Sequence, residues 1–296
     1  MGDGFKSHGV TGGTNHPLPC VPSGFFLVTM AAQHTPASPT PSAFTEMNRA
    51  YWDAIGENYD GEIFSVREHD TDGLIERHIR ALADPEATAA DLGCGVGNFT
   101  PLLAEHFGRV HACDLSPRLL DQARAACDGF DNIVFRQTDL AREPHPFEPV
   151  DFVLCVNVLI MASLDVRMSA LRAVTAQVRH GGHLLLVVPS TESMLYTQFR
   201  RIDWCLRDGL DCTAAIRDSL PARGSVRALH QGIRSLEGVP TKHHLKEELE
   251  VLLAGHQMEV LEVDKITYPW STEFHNPPDW MGDPLPWDWL VLARRR

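Results

Sequence analysis

One stretch of this chain is suited to bringing a ligand against the bare backbone. Asp91-Leu92-Gly93-Cys94-Gly95-Val96-Gly97-Asn98 closes an apolar run and leads into a helical pattern. Three glycines at alternate positions permit a sharp turn and leave the main chain open to close approach. A dinucleotide fingerprint would read GxGxxG, with its third glycine inside the helix. Here the glycines fall at 93, 95 and 97 and position 98 is Asn, a spacing that better suits a nucleoside without a pyrophosphate. Asp114 ends the next apolar run, 23 residues after Asp91. A carboxylate there can accept hydrogen bonds from both hydroxyls of a ribose. Asp139 ends the run after that, placed to meet an adenine amino group. Solvation alone explains many single loop acids. Three at successive strand ends beside a glycine turn predict one crevice at the carboxyl edge of a sheet.

The elements that must hold these residues follow from periodicity. Leu74, Ile75, His78, Ile79 and Leu82 give a helix over 73–82 one apolar face. Strands are predicted over 88–92, 109–113, 132–137, 152–160 and 183–188, with helices between them. One helix carries Phe99, Leu102, Leu103 and His106 on one side, one opens at Ser116-Pro117, and one spans 165–179. Residues 191–240 interrupt the series. A helix over 242–254 and strands over 258–267 and 287–293 complete it. The fourth strand is apolar almost throughout, as expected of a parallel strand covered on both faces. The alternation predicts an α/β fold with a doubly wound, seven-stranded, mostly parallel sheet and a helical insertion after the fifth strand.

On these motifs the chain, from about residue 48 to 293, resembles the class I S-adenosylmethionine-dependent methyltransferases of the small-molecule type, and so implies their Rossmann-like fold. Asp91-Leu92-Gly93-Cys94-Gly95-Val96-Gly97 is similar to the family's first motif, Asp114 (with Leu115 after it) to its ribose-binding acid, and Asp139-Leu140 to its adenine-side motif. Cys155-Val156-Asn157-Val158-Leu159 resembles the end of the fourth strand beside the methyl group. Glu57-Asn58-Tyr59-Asp60 resembles a Tyr-Asp element whose ring, Tyr59 here, covers the cofactor. The resemblance implies S-adenosylmethionine as cofactor, S-adenosylhomocysteine as product, and a last strand antiparallel to the rest. It also implies in-line transfer to an O, N or C nucleophile, with Asp91 near the cofactor's ammonium group and no metal required. Two features depart from the pattern. The first strand is alanine-rich (Ala87-Thr88-Ala89-Ala90), which weakens its strand propensity. Asn157 is followed by Val158-Leu159 rather than by the Pro-Pro-aromatic signature of amide- and base-directed amino methyltransferases.

Composition narrows the partners. The 296 residues carry 26 Lys+Arg against 39 Asp+Glu, a formal charge of −13. That balance argues against wrapping a nucleic-acid backbone, which needs clustered cations. No apolar stretch approaches the ~18 residues of a membrane-spanning helix. The cysteines, at 20, 94, 113, 127, 155, 205 and 212, are odd in number and form no CxxC pair. They read as reduced, buried thiols, which predicts a cytoplasmic protein. The 15 His residues show no zinc-ligand spacing.

Residues 1–43 are rich in Gly, Pro, Ser and Thr and have Lys6 as their one basic side chain, so they are expected to lie outside the fold as a disordered extension. The run Gly24–Ala32 leaves open a signal-peptide core, an upstream extension with Met30 or Met47 as start, or a segment docked on the body. The methyltransferase domain is expected over 44–296, with 191–240 as a lid.

The acceptor pocket is expected from the variable pieces. Tyr51, Tyr196, Phe199, Trp204, Trp270 and Phe274 either line it for a small, partly apolar acceptor or pack the lid. His230, His243 and His275 are candidate general bases, each with an ordinary structural role as the alternative. Seven Arg and no Lys face six acids over 191–240, a net charge of +1 that either orients an anionic acceptor or reflects surface pairing. The competing functions are a nucleoside-binding module without turnover, a protein or RNA methyltransferase, and a nicotinamide-dependent oxidoreductase.

Overall fold

The computed structural model describes residues 47–57, 65–143, 147–219, 226–236 and 238–296. The 1–43 extension and Tyr59 lie outside these residues. Among the described residues three helices come first: α1 (Arg49–Ile55), α2 (Val66–His69) and α3 (Leu74–Ala81). Then β1 (Asp84–Leu92), α4 (Thr100–His106), β2 (Phe107–Asp114), α5 (Pro117–Ala126), β3 (Ile133–Gln137), β4 (Val150–Val156), α6 (Leu164–Ala176) and β5 (Val178–Pro189) alternate. The insertion holds α7 (Thr191–Arg207), α8 (Cys212–Ser219), α9 (Val226–Leu229), β6 (Ile233–Leu236) and β7 (Val239–Lys242). The chain closes with α10 (Lys246–Gly255), β8 (Met258–Thr267) and β9 (Trp287–Arg295).

Seven strands form one sheet in the order β3-β2-β1-β4-β5-β9-β8. The first five run parallel, and β9 runs antiparallel to both β5 and β8. The chain winds outward from β1 to β3 and then returns to β4 on the other side, so a crevice opens between β1 and β4 at the carboxyl edge. Alternation within the central strands feeds two cores. Val153, Cys155, Leu184 and Leu186 pack against Ala170, Leu171 and Val174 of α6 and Leu249 and Leu253 of α10. Phe152, Leu154, Leu185 and Val187 pack on the other face with Ile75 and Ile79 of α3 and Leu103 of α4. Both faces being covered explains the continuous apolar character of these strands.

The alanine-rich β1 is a strand despite its propensity, because it is paired on both sides, with β2 and β4, and Ala89 and Ala90 are fully buried. Several elements differ from expectation: β1 begins at Asp84 and β5 at Val178, each earlier than predicted, and α6 ends at Ala176. β4 stops at Val156 because Asn157 turns left-handed, with φ 53°. The insertion is not wholly helical, since β6 and β7 pair as an antiparallel hairpin. Lys242 ends that hairpin, so α10 starts at Lys246. Among the described cysteines five are buried and Cys212 is exposed. No helix among the described residues is long and apolar enough to cross a membrane.

Candidate functional site

The glycine turn hangs from the end of β1. Gly93 and Cys94 donate their backbone N–H groups to the Cys113 carbonyl, at 2.8 and 2.9 Å, which bends the chain over β2. Gly93, Gly95 and Gly97 have φ of 77°, 55° and 87°, a region that side chains disfavour. Space is as restrictive as torsion. A Cβ on Gly93 would fall 2.3 Å from Val158 Cγ2, and one on Gly97 would fall 3.1 Å from Ala123 Cα of α5. The Cys94 thiol is buried and burial pushes its pKa well up, so it stays a neutral packing group.

The acids behave differently from one another. Asp91 is buried and accepts from Thr100 Oγ1 at 2.6 Å. Burial raises its pKa to about 7; the Thr100 bond opposes the rise and the charge of Asp114 adds to it. Asp114 accepts from the backbone N–H of Gly95 at 2.9 Å and of Ser116 at 2.9 Å. Burial raises its pKa too, against the pull of the Ser116, Gly95 and Leu115 backbone donors. A carboxylate has about four lone-pair sites, so Asp114 keeps acceptor capacity after tying the turn to β2. Asp139 closes on its own turn, accepting from Ala141 N–H at 3.0 Å with Arg142 Nε 3.4 Å away. Its neighbour Leu140 is buried in the core.

Among the described residues, Thr138 Oγ1 beyond β3 and Asn157 Oδ1 beyond β4 are buried oxygens at this edge without hydrogen-bond partners. Each unsatisfied group costs about 1–3 kcal/mol. Orphaned polar atoms flanking the glycine turn fit a polar ligand. Next to the crevice α1 docks on α5. Ser116 Oγ donates to Asp53 Oδ1 at 2.5 Å, and Gln122 Nε2 donates to the Gly56 carbonyl at 2.6 Å. Tyr51 of α1 is buried against Val239 of β7 and meets Trp52 edge-on.

On the other side of Asn157 lies a buried polar group that spacing did not reveal. Asp288 of β9 is hydrogen-bonded by Asn157 and accepts from Tyr268 Oη at 2.9 Å. Burial raises the Asp288 pKa to about 6, while those two bonds hold it down. Glu273 is buried nearby. Burial pushes its pKa to about 8, with Arg234 of β6 opposing and Asp288 adding to the rise. Arg234 Nη1 is itself buried with no hydrogen-bond partner. The signal for Asp288 was present, an acid between Trp287 and Trp289 in an otherwise buried strand. Glu273 carried none, because its loop has no period.

The histidine candidates do not join this group as bases. His230 and His275 are exposed, and His275 Nε2 lies 3.1 Å from Asn276 Nδ2. His243 is buried, with Nδ1 3.3 Å from the Thr241 carbonyl and its pKa pushed down to about 3, by burial first and by Arg234 second. The aromatic candidates mostly pack one another. Tyr196 and Trp204 join Trp270, Phe274 and Met281 in a cluster, with Trp270 and Phe274 stacked at 5.5 Å. Phe199 is 60% exposed. These rings pack between α7 and the 270–281 loop, and Tyr196 also meets Trp287 of β9 at 6.1 Å.

Residues 89–182 match the family model described as a methyltransferase domain. Two curated relatives are both trans-aconitate 2-methyltransferases. That of Azoarcus sp. (strain BH72) is 36% identical over 112 residues, 37% of this chain and 42% of that protein. That of Streptomyces coelicolor is 42% identical over 77 residues, 24% of this chain and 25% of that protein. The chain thus spans less than half the length of either. Among solved structures, the DhpI-SAM-HEP complex aligns over 89% of this chain and 100% of its own, with TM-score 0.55 and 19% identity. Magnesium protoporphyrin IX methyltransferase from Synechocystis PCC 6803 with bound SAM covers 88% and 100%, with TM-score 0.53 and 15% identity. At these identities the structural likeness establishes the fold.

Proposed function

We propose that this chain, which carries a class I methyltransferase domain over residues 89–182, transfers a methyl group from S-adenosylmethionine to a small carboxylate-bearing acceptor. The observation that carries the cofactor half is the hydrogen bond from Gly95 N–H to Asp114 Oδ2, 2.9 Å long. It locks the glycine turn of β1 to the acid of β2 and so builds one crevice from two strand ends. Asp91 would face the cofactor's ammonium group, Asp114 its ribose, and Thr138, Asp139 and Leu140 its adenine. The bound cofactor would supply a methyl already activated on a positively charged sulfur. The chain's own residues bind and orient the partners and keep water out.

The acceptor half rests on Arg234. Its Nη1, buried on the β6–β7 hairpin and without a hydrogen-bond partner among the described residues, suits a carboxylate beside that of Glu273, since a guanidinium can serve more than one oxygen. That both curated relatives are trans-aconitate 2-methyltransferases agrees with an acidic acceptor. A carboxylate nucleophile arrives ionised and needs no general base, in keeping with the surface positions of His230 and His275. The test has two arms. S-adenosylhomocysteine should raise the melting temperature, and absence of any shift at saturation rejects the cofactor reading. A labelled methyl donor screened against carboxylic acids, phenols, amines and isoprenoids should label the acids. Labelling only phenols or amines would instead favour Glu273 as the group that takes the acceptor's proton.

A further inference from the structure

Away from the crevice, three titratable side chains meet at the outer edge of the sheet. Glu262 and Asp264 stand two residues apart on β8, so both leave the strand on one face. Ile266 and Tyr268 continue that column into the core. Opposite, α3 turns His78 inward from the same stripe as Ile75 and Ile79. One ligand atom from each of His78, Glu262 and Asp264 lies within 4.8 Å of the others. The His78 side chain is 8% exposed, and its Nε2 sits 3.8 Å from Asp264 Oδ2. Both atoms are buried and neither has a hydrogen-bond partner.

A separation of 3.8 Å is too long for a hydrogen bond. It is close to the spacing of two atoms that share one ion: ligands about 2.0–2.2 Å from a zinc lie roughly 3.5 Å apart at tetrahedral angles. Arg77 Nη2 approaches Asp264 Oδ2 at 3.7 Å, but that side chain is 59% exposed and leaves the imidazole nitrogen unsatisfied. Two carboxylates also match the charge of a divalent cation. We propose that His78, Glu262 and Asp264 form a divalent-metal site, with zinc the best-matched ion, that pins α3 to the edge strand β8. Nitrogen and oxygen donors of this kind suit zinc over calcium or magnesium, which favour all-oxygen shells. The site is structural and lies apart from the crevice. It braces the strand that delivers Tyr268 to Asp288. Spacing concealed it, because its ligands come from positions 78, 262 and 264 and meet only when α3 docks.

The test is calorimetric titration of the chelator-stripped full chain with zinc alone, alongside melting in zinc and in magnesium. One saturable zinc event at micromolar affinity or tighter, with a rise in melting temperature that magnesium does not reproduce, is expected. Glu262→Gln and Asp264→Asn should each weaken that event by at least about tenfold, whereas Arg77→Ala should not. Glu262 is exposed, so its variant folds independently of the outcome. The absence of such an event overturns the site. So does zinc binding of unchanged affinity in both carboxylate variants, which would place the ion on the chain's other histidines.

Discussion

Asp91 and Asp114 end neighbouring strands, yet their environments give them different work. Asp114 is held by backbone N–H groups, so its position depends little on charge. Asp91 has the Thr100 hydroxyl and a pKa raised to about 7. A protonated Asp91 is neutral and offers nothing to an ammonium group, so cofactor affinity should fall as pH drops through 7. Titration of S-adenosylhomocysteine at pH 6 and pH 8 should differ by up to about tenfold, and Asp91→Asn should remove the difference. Equal affinities in the wild-type chain would rule out direct pairing with Asp91. Asp114→Ala should abolish most of the ligand-induced rise in melting temperature, since it strips both the proposed ribose acceptor and the brace on Gly95. The strand-end positions of Asp91, Asp114 and Asp139 were legible because each follows a strand that periodicity located. Glu273 was not, because a loop acid acquires meaning only from what buries it.

At the level of elements, the glycine turn and the docking of α1 are the two joints that shape the crevice. Gly93→Ala would place a methyl 2.3 Å from Val158 Cγ2 at a φ of 77°. Melting temperature and ligand shift should both fall, and Val158→Ala should restore part of the loss while the torsional cost of ~1–2 kcal/mol remains. No recovery in the double variant would show that torsion, not contact, dominates. Ser116 serves two elements at once. Its hydroxyl oxygen caps α5 by accepting from Leu119 N–H at 3.2 Å, and its hydroxyl donates to Asp53 of α1. Ser116→Ala should cost ~1 kcal/mol through the cap alone and more in sum. Asp53→Ala removes only the bond between helices, so denaturant unfolding of both variants separates the two contributions. The hairpin β6–β7 was read as part of a helical insertion because four-residue strands carry too little period to register. Its position comes from distant partners: Lys242 N–H donates to the Ile160 carbonyl at 2.8 Å, and His244 Nε2 lies 2.8 Å from the Leu159 carbonyl.

Over the whole molecule, the raised carboxylates make stability depend on pH in a defined direction. Asp288 at about 6, Asp91 at about 7 and Glu273 at about 8 all lie above their ordinary values of 3.8, 3.8 and 4.5. Between pH 4 and 8 the folded state therefore binds more protons at these groups than the unfolded chain does. Their contribution to stability is full below the unfolded values and is lost as pH rises through the folded ones. Buried His243 and His244, with pKa lowered to about 3, oppose this trend up to the ordinary histidine range and add nothing above it. The ligand-free protein should therefore melt at a lower temperature at pH 8.5 than at pH 7.5, and Glu273→Gln should flatten that slope. A melting temperature that rises across this window would contradict the burial of these acids. Local spacing was enough to announce the alternating elements, the turn at 93–97 and the strand-end acids Asp91, Asp114 and Asp139, because all of these lie within one or two elements of the features that define them. Only the tertiary structure decided that Asn157, Tyr268, Glu273 and Asp288 share one buried polar group with Arg234, and that His78 faces Glu262 and Asp264. Those neighbours are set by which strands lie side by side and which helix covers them. Desolvation, which shifts the acids, arises only once the layers have closed.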